Sequence, residues 1–309
     1  MTIRLLFAGL MATLLVAGCK SSEQAQAPQG QQRRMAANGR SRAPQARDST
    51  EAPAWYAEPP SRPRQLTQTQ AWDLLHTQIH LRPLWAQQRA AGTALLRLRP
   101  HFYATDSLVL DAKGFLLNEV ALVTKQDTTA LRYRYDSLRL HLALPRTFTR
   151  KDTARIFIRY TARPNELKHL LPTEGSQAIF SNKGLYFIDP QDTLAWKPRQ
   201  LWTQGQTAAS SCWFPTLDRP NARSTQELSI RVDTSLTTLS NGVRFGQQYH
   251  NDGTRTDTWV LAQPHAPYLF MLAVGPFVRV QDHWRGRPVT YYLEKEYAPH
   301  ARLIFGDTP

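Results

Sequence analysis

Cysteine is scarce in this chain of 309 residues, which contains only Cys19 and Cys212. Two cysteines allow at most one disulfide, and this excludes the disulfide-rich class of small secreted domains. If Cys19 is modified by a covalent lipid, as the pattern at residues 16–19 described below predicts, Cys212 has no disulfide partner within the chain. Because no histidine suited to activating a thiol stands near Cys212 in the sequence, we interpret Cys212 as a buried packing residue rather than a nucleophile.

Apolar runs long enough to form a membrane-spanning helix are also missing. The run Leu5–Val16 follows Arg4 and has the length of a signal peptide. It ends in Val-Ala-Gly-Cys at residues 16–19, a pattern at which lipoprotein signal peptides are cleaved; an ordinary signal peptide with a chance cysteine is the alternative. We predict a lipoprotein signal peptide over residues 1–18. Lipid on Cys19 would then hold the chain at a membrane in the cell envelope, in the periplasm or at the outer membrane.

Acidic residues are few, since Asp and Glu total 24 against 38 Lys and Arg, for a formal net charge of +14. The basic residues are scattered, so we predict no nucleic-acid partner and interpret the charge as an aid to solubility. Residues 19–68 are rich in Gln, Ala, Pro, Arg and Ser and have no apolar periodicity. We predict that they form the lipid anchor and a disordered tether, in which Arg33 and Arg34 could contact anionic lipid headgroups.

Common catalytic motifs are absent from the sequence. There is no P-loop, no dinucleotide-binding fingerprint and no Gly-x-Ser-x-Gly elbow. None of the nine histidines is followed by Glu, so a His-Glu-x-x-His zinc helix is excluded. His76 and His80 have the spacing of two zinc ligands, but their segment alternates as a strand, in which four residues span about 13 Å. We interpret both as solvent-facing strand histidines and predict neither a metal site nor a catalytic residue in this chain.

The pattern that is present over residues 69–296 is that of β-strands. Apolar and polar residues alternate with a period of two, which is typical of half-buried antiparallel strands. The apolar side is predicted to contain Leu75, Thr77, Ile79 and Leu81; Leu96 and Leu98; Leu138, Leu140 and Leu142; and Leu228, Ile230 and Val232. Turn signals separate the strands at Lys113-Gly114, Asn182-Lys183-Gly184, Asn241-Gly242 and Asp252-Gly253. We predict an all-β fold, an antiparallel β-sandwich or layered β-sheet domain.

Two consecutive motifs resemble a known family. Residues 202–206 read Trp-Thr-Gln-Gly-Gln, and residues 212–220 read Cys-Trp-Phe-Pro-Thr-Leu-Asp-Arg-Pro. The pair is similar to the signature of the amino-terminal β domain in the aminopeptidase N family of zinc metallopeptidases. Residues 239–242 and 268–275 resemble later strands of that domain, and residues 182–187 resemble its bacterial lipoprotein-like branch. The resemblance extends from Trp72 to the end of the chain.

The resemblance implies how the chain is organised. Residues 69–296 would be the amino-terminal β domain, and residues 297–309 would open a thermolysin-like catalytic domain. In the family that second domain supplies the substrate loop, the zinc ligands and the general base. Zinc is therefore expected in the full-length family member and not in this chain, and the missing catalytic domain is the implied partner.

The resemblance also implies one substrate contact. In the family, the Gln-Gly-Glu-like loop contacts the free α-amino group of the peptide substrate, and by position that residue is Gln206, with Gln204 nearby. Gln206 departs from the commoner Glu; its amide oxygen can accept a hydrogen bond from an ammonium but carries no full charge. The alternative is that the two glutamines only cap a turn. The run Trp213–Pro215 could serve as a ligand platform, but we interpret it as core packing, with Asp218 and Pro220 forming a turn.

Two functions therefore stay open at this point. One is the amino-terminal part of a lipid-anchored zinc aminopeptidase that removes amino-terminal residues from peptides and needs the missing domain for catalysis. The other is a non-catalytic β lipoprotein that serves as a binding or assembly module. A coding sequence that continues into a His-Glu-x-x-His helix would indicate the first function.

Overall fold

The computed structural model describes residues 70–169 and 182–308, and the predicted signal peptide, Cys19 and the tether lie outside these ranges. Within them the strands are β1 Trp72–Leu84, β2 Arg89–Pro100, β3 Thr105–Asp111, β4 Leu116–Val123, β5 Thr128–Ala130, β6 Arg132–Tyr135, β7 Arg139–Phe148, β8 Ala154–Ala162, β9 Leu185–Ile188, β10 Gln200–Thr203, β11 Ser224–Asp233, β12 Thr237–Ser240, β13 Val243–Tyr249, β14 Thr254–His265, β15 Leu272–Gly275, β16 Val278–Trp284 and β17 Arg287–Leu293. This content confirms the all-β prediction.

Helical structure in the described residues is short. The 3₁₀ turns are Trp85–Gln87, Pro164–His169, Ser210–Cys212, Pro267–Leu269 and Lys295–His300, and the α-helix α1 is Ala301–Phe305. No helix in the described part of the chain is both long enough and apolar enough to cross a membrane.

The strands form a large sheet and three smaller ones. The large sheet has eight strands in the order β13-β14-β11-β1-β2-β8-β4-β5. A four-stranded sheet has the order β12-β15-β10-β9, a three-stranded sheet the order β3-β7-β6, and β16 and β17 form a hairpin. Nearly all neighbours are antiparallel, but β1 and β11 pair in parallel, from His76 opposite Thr225 to Leu81 opposite Ile230. The large sheet is therefore mixed, and the sequence prediction of antiparallel strands did not include this pair.

A shared apolar core joins the three largest sheets. It includes Ile79 and Leu96 of the large sheet, Leu110 of the three-stranded sheet, and Leu201 and Val274 of the four-stranded sheet, and all five side chains are fully buried. One face of the large sheet contributes to this core, and its other face carries mostly polar side chains such as Arg82, Thr93 and Arg159, with the half-buried Leu95 and Phe157 among them. The layered arrangement predicted from the alternation is confirmed.

The predicted turns form where glycine supplies the backbone conformation. Gly114, Gly184, Gly242 and Gly253 all have positive φ angles, between 69° and 85°. The position of Gly184 admits only glycine, because a Cβ atom there would lie 2.0 Å from the carbonyl oxygen of Ala209.

Two residues assigned to the core by alternation lie elsewhere. The register between β1 and β2 shifts between Leu74 and His76, so a bulge places Leu74 in the core and leaves Leu75 only half-buried. Leu138 precedes β7 in a bend and is 36% exposed, whereas Leu140 and Leu142 are buried as predicted. The prediction was wrong at both positions because a period of two fails where the strand bulges or ends.

The end of the described chain has a small core of its own. Tyr291 and Leu293 of β17 pack with Ala301 and Phe305 of α1, and the rings of Tyr291 and Phe305 stack with centroids 4.6 Å apart. These contacts associate the β16–β17 hairpin with the helix that follows it. The boundary predicted at residue 297 stays a prediction.

Candidate functional site

The segment 204–209 is a loop that leaves the end of β10 and runs into the 3₁₀ turn Ser210–Cys212. The backbone N–H of Gln204 donates to the carbonyl of Gly184 at 2.9 Å, and that of Ala209 donates to the carbonyl of Gly205 at 2.9 Å. Gly205 lies against the chain at Tyr268, where a Cβ atom would approach the Tyr268 carbonyl oxygen to 2.3 Å. A side chain at position 205 would push the loop away from this support.

Side chains from two distant parts of the chain also fasten the loop. Lys113, in the turn after β3, donates from Nζ to the carbonyl of Ala208 at 2.5 Å. Ser210 is fully buried and donates from Oγ to the carbonyl of Pro267 at 2.8 Å. These two hydrogen bonds hold the carboxyl-terminal end of the loop, and the exposed residues of the loop are Gln206 and Thr207.

Gln206 lies at the outer part of this loop and is exposed, whereas Gln204 is half-buried. No residue in the described ranges forms a hydrogen bond with the side-chain amide of Gln206. The alternative that Gln206 caps a turn through its side chain therefore has no contact to support it. The geometry leaves the Gln206 amide available to a group from outside the described residues.

An aromatic pair lies on the two strands that lead to the loop. The rings of Tyr186 on β9 and Trp202 on β10 stack with centroids 4.6 Å apart and an interplanar angle of 14°. Lys183 places its Nζ 5.0 Å from the centroid of the Tyr186 ring and donates to Oδ1 of Asn165 at 2.6 Å. This pair forms a rigid surface next to Gln204, because both strands are fixed by their β-ladder.

The residues after the loop are structural. Cys212, Trp213 and Phe214 are fully buried, so the run Trp213–Pro215 is core packing, as predicted. Burial raises the pKa of the Cys212 thiol to about 12, which keeps it protonated and unreactive and confirms the interpretation as a packing residue. The turn that follows closes with a hydrogen bond from the N–H of Ala222 to the carbonyl of Arg219 at 3.1 Å.

Asp218 connects this turn to the 3₁₀ turn Ser210–Cys212 through hydrogen bonds with Ser211. Burial raises the pKa of Asp218, and hydrogen bonds from Ser211 partly oppose that effect. The backbone N–H and the hydroxyl of Ser211 both donate to Asp218 Oδ2, at 2.9 and 2.7 Å. The carboxylate therefore holds the 3₁₀ turn beneath the loop, and the predicted role of Asp218 in a turn is supported.

The described residues do not fit a zinc ion. His76 and His80 both lie on strand β1, and His76 Nδ1 is 2.6 Å from Thr225 Oγ1 on β11. In the described ranges no group of three His, Cys, Asp or Glu side chains is placed to hold a metal. The strand assignment of the two histidines is confirmed, but only His80 is exposed to solvent, and the prediction was wrong for His76, which is half-buried against β11.

Residues 73–269 match the family model of the peptidase M1 N-terminal domain. The chain belongs to this family. The match covers the loop at Gln206, the buried motif at Trp213 and most of the large sheet, and ends before the β16–β17 hairpin. The predicted resemblance to the amino-terminal domain of zinc metallopeptidases is thereby confirmed.

Solved structures of M1 enzymes share the fold of this M1 N-terminal domain. An M1 zinc metallopeptidase from Deinococcus radiodurans matches with a TM-score of 0.56 and 18% identity, over 69% of this chain and 44% of that chain. A two-domain M1 zinc metallopeptidase variant bound to L-tryptophan matches with a TM-score of 0.58 and 18% identity, over 72% and 48%. The chain thus spans less than half the length of these proteins, and the likeness shows the fold alone.

One relative found by sequence is named as a transcription-factor subunit rather than as a peptidase. Transcription initiation factor TFIID subunit 2 of Gallus gallus is 28% identical over 119 residues, which are 38% of this chain and 10% of that protein.

The sequence did not indicate how the loop is supported. Lys113-Gly114 was identified only as a turn signal, and the contact of Lys113 with Ala208 spans 95 residues. Tyr268 was identified only as part of a strand-like segment, but residues 267–269 form a 3₁₀ turn. Neither contact has a local sequence signal, because both depend on how the sheets pack.

Proposed function

We propose that this M1 N-terminal domain is the amino-terminal part of a membrane-anchored zinc aminopeptidase and that its 204–209 loop contacts the peptide amino terminus. The observation that carries the proposal is Gln206, an exposed amide at the outer part of a loop fastened through Gly205, Lys113 and Ser210. A rigid loop can hold an acceptor in place for a substrate ammonium at little entropic cost.

The chemistry of hydrolysis belongs to a zinc-bearing domain outside the described residues. The solved M1 zinc metallopeptidases extend well beyond the region that this chain matches, which supports such a partner. In this proposal the present domain binds and orients the substrate, and the zinc domain cleaves the peptide bond. Sequencing the coding region downstream of residue 309 tests the arrangement directly, since a His-Glu-x-x-His helix is expected there.

Replacing Gln206 by Ala should lower kcat/KM for aminoacyl arylamides roughly ten- to a hundred-fold in the full-length enzyme. A lost hydrogen bond to a charged group costs on the order of 1.5–3 kcal/mol in a cleft with little water. Gln206→Glu should retain or raise kcat/KM, because a carboxylate places a full charge opposite the substrate ammonium. Both variants should melt within about a degree of the parent protein, since an exposed loop side chain contributes little to stability.

Gln248→Ala is the matched control, because Gln248 is also an exposed glutamine but lies on β13 of the large sheet. Its kcat/KM should equal that of the parent enzyme. If Gln206→Ala stays within twofold of the parent while Gln248→Ala behaves the same way, the loop does not contact the substrate amino terminus and the proposal fails.

A second function is favoured by the sequence relative that is named as a transcription-factor subunit. Here the domain would serve as a non-catalytic binding or assembly module. This alternative predicts a coding sequence that ends at residue 309, followed by an unrelated gene, and a Gln206→Ala variant with unchanged partner binding. Aminopeptidase activity of the complete gene product would exclude it.

Membrane anchoring through Cys19 is the remaining part of the proposal. The mature protein should partition into the detergent phase of a Triton X-114 extraction and show a mass increase corresponding to lipid on Cys19. Cys19→Ala should stay unprocessed or become soluble, whereas Cys212→Ala should partition like the parent. A soluble parent protein that is cleaved at an ordinary signal-peptide site would contradict lipid attachment.

A further inference from the structure

The polar face of the eight-stranded sheet contains a trough of about 510 Å³. It lies on a different sheet from the Gln206 loop, and it is large enough for a ligand of drug or metabolite size. The side chains and backbone that line it come from six strands and are His80, Leu81, Arg82, Ala91, Gly92, Thr93, Asn118, Arg159, Tyr160, Thr161, Ser229, Arg231 and Thr256.

Short side chains form the floor of the trough. Ala91 lies opposite Arg82 on β1 and Thr161 on β8, and Thr93 lies opposite His80 and Arg159 in the same way. Because Ala91 is much shorter than its neighbour Arg82, and Thr93 is shorter than its neighbours His80 and Arg159, the sheet surface dips along β2. The long side chains of Arg82 and Arg159 stand on either side of this dip.

The three guanidinium groups of the trough differ in their partners. Arg159 contacts Glu119, and Arg231 donates to Asp252 Oδ2 at 2.7 Å. Arg82 is exposed and forms no hydrogen bond or ion pair with any residue in the described ranges. Arg82 therefore supplies the uncompensated positive charge of the trough, and it lies on a central strand where the β-ladders hold the backbone.

Hydroxyl groups complete the lining. Thr93, Thr161 and Thr256 are half-buried along the trough, and Ser229 is buried with its Oγ 2.9 Å from Thr258 Oγ1. Hydroxyl groups both donate and accept hydrogen bonds, which matches the hydroxyl groups of a sugar. A guanidinium presents a planar set of donors that matches phosphate.

We propose that this trough binds a phosphorylated saccharide, with the phosphate at Arg82 and the sugar hydroxyls along the threonine-lined floor. The volume of the trough exceeds what a lone phosphate fills, and one uncompensated guanidinium suits a single phosphate rather than a polyanion. The same chemistry could come from a soluble sugar phosphate or from a phosphorylated sugar headgroup on a lipid.

Isothermal titration calorimetry of the full chain with glucose 6-phosphate tests the proposal. Saturable binding is expected, and glucose and inorganic phosphate should each bind at least tenfold more weakly. Arg82→Gln should weaken binding at least tenfold. Ala91→Phe, which fills the floor without changing a charge, should weaken it as much, and the Tm of each variant shows whether the fold is retained.

Arg97→Gln is the matched control, since Arg97 is an exposed arginine on β2 of the same sheet but does not line the trough. It should bind glucose 6-phosphate within twofold of the parent. Equal losses of binding in Arg82→Gln and Arg97→Gln would show that diffuse charge, not the trough, binds the ligand. An absence of saturable binding both to glucose 6-phosphate and to the vesicles described next would overturn the site. If inorganic phosphate binds as tightly as glucose 6-phosphate, the trough does not recognise the sugar, and the assignment of a saccharide ligand is wrong.

Vesicles distinguish the two sources of the ligand. Co-sedimentation with phosphatidylcholine vesicles that contain phosphatidylinositol, whose headgroup joins one phosphate to a ring of sugar-like hydroxyl groups, would assign a lipid headgroup if it depends on Arg82 and is absent for phosphatidylcholine alone. Binding of glucose 6-phosphate without vesicle binding would assign a soluble sugar phosphate. Both results support the trough as a phosphosaccharide site.

Discussion

Replacing Trp213 by Ala should lower the free energy of unfolding by about 3–5 kcal/mol, which is typical of a fully buried tryptophan. The Trp213 side chain has 0% exposure and is the largest of the fully buried side chains. Its ring meets Phe214 edge-on with centroids 4.4 Å apart, and its carbonyl accepts a hydrogen bond from the Tyr160 hydroxyl at 3.0 Å. Truncation would leave a cavity between the loop motif and the large sheet.

Thermal unfolding measures the effect. For a domain of this size, 3–5 kcal/mol corresponds to a Tm that is lower by roughly 6–20 °C. Trp196→Ala is the control, because Trp196 is 70% exposed, and it should shift the Tm little.

Trp213→Phe separates the packing of the ring from the cost of its buried, unpaired N–H donor. The Nε1 donor of Trp213 is buried and has no partner within the described ranges. Phenylalanine removes that donor while keeping a ring, so its cost should be well below that of Ala. Similar Tm values for Trp213→Ala and Trp196→Ala would contradict the assigned role of Trp213 in the core.

The strands that were predictable from sequence are those whose burial follows a strict period of two. Leu228, Ile230 and Val232 on β11 are buried, whereas Glu227 and Arg231 on the other face of the strand are only half-buried. This pattern depends only on the pleat of one strand, so it is visible without knowledge of neighbours. The turns at positive-φ glycines were predictable for the same reason, since each is encoded within two or three residues.

Pairing between strands was not predictable in the same way. The parallel pair β1 and β11 joins Thr77 to Gln226, which are about 150 residues apart, and no local pattern specifies that register. In the folded structure the side chains stabilise this register, since Gln78 Nε2 donates to Glu227 Oε1 at 2.8 Å across the same pair of strands. Such contacts become recognisable only when the topology is known.

The sequence predicted where the candidate site lies, but it did not predict the contacts that hold the loop in place. The family motif placed the loop at Gln204 and Gln206, and the structure finds Gln206 exposed on it. The groups that fasten the loop, Lys113 and Tyr268, come from other elements and carry no motif. The motif is local in the sequence, whereas the contacts that support the loop come from distant parts of the fold.

Asp257 is the centre of a buried polar network between the large and the four-stranded sheets. Arg255 donates from Nε to Asp257 Oδ1 at 3.0 Å, and the two side chains are 9% and 0% exposed. Thr238 on β12 donates to Asp257 Oδ2 at 2.7 Å, and Gln247 on β13 donates to Oδ1 at 2.8 Å. The carboxylate therefore connects β12, β13 and β14 at one point.

Removing this carboxylate should be as costly as removing Trp213. Asp257→Ala leaves the buried guanidinium of Arg255 without its counter-charge, and breaking a buried pair from one side costs about 3–5 kcal/mol. Asp257→Asn should cost less, because the amide keeps one acceptor for Thr238 or Arg255. The control is Asp252→Asn, since the Asp252–Arg231 pair is solvent-exposed, and exposed pairs contribute little to stability.

The same network predicts how stability depends on pH. Burial alone would raise the pKa of Asp257, but hydrogen bonds from Arg255, Thr238 and Gln247 outweigh it and hold the pKa below the usual 3.8. A carboxyl whose pKa is lower in the folded state stabilises the fold above its unfolded pKa, and this contribution is lost as the pH falls through the folded value. The Tm of the parent protein should therefore fall below about pH 4, and the Tm difference between parent and Asp257→Asn should shrink over the same range. A difference that stays constant from pH 7 to pH 2 would show that the charge of Asp257 does not stabilise the junction of these strands.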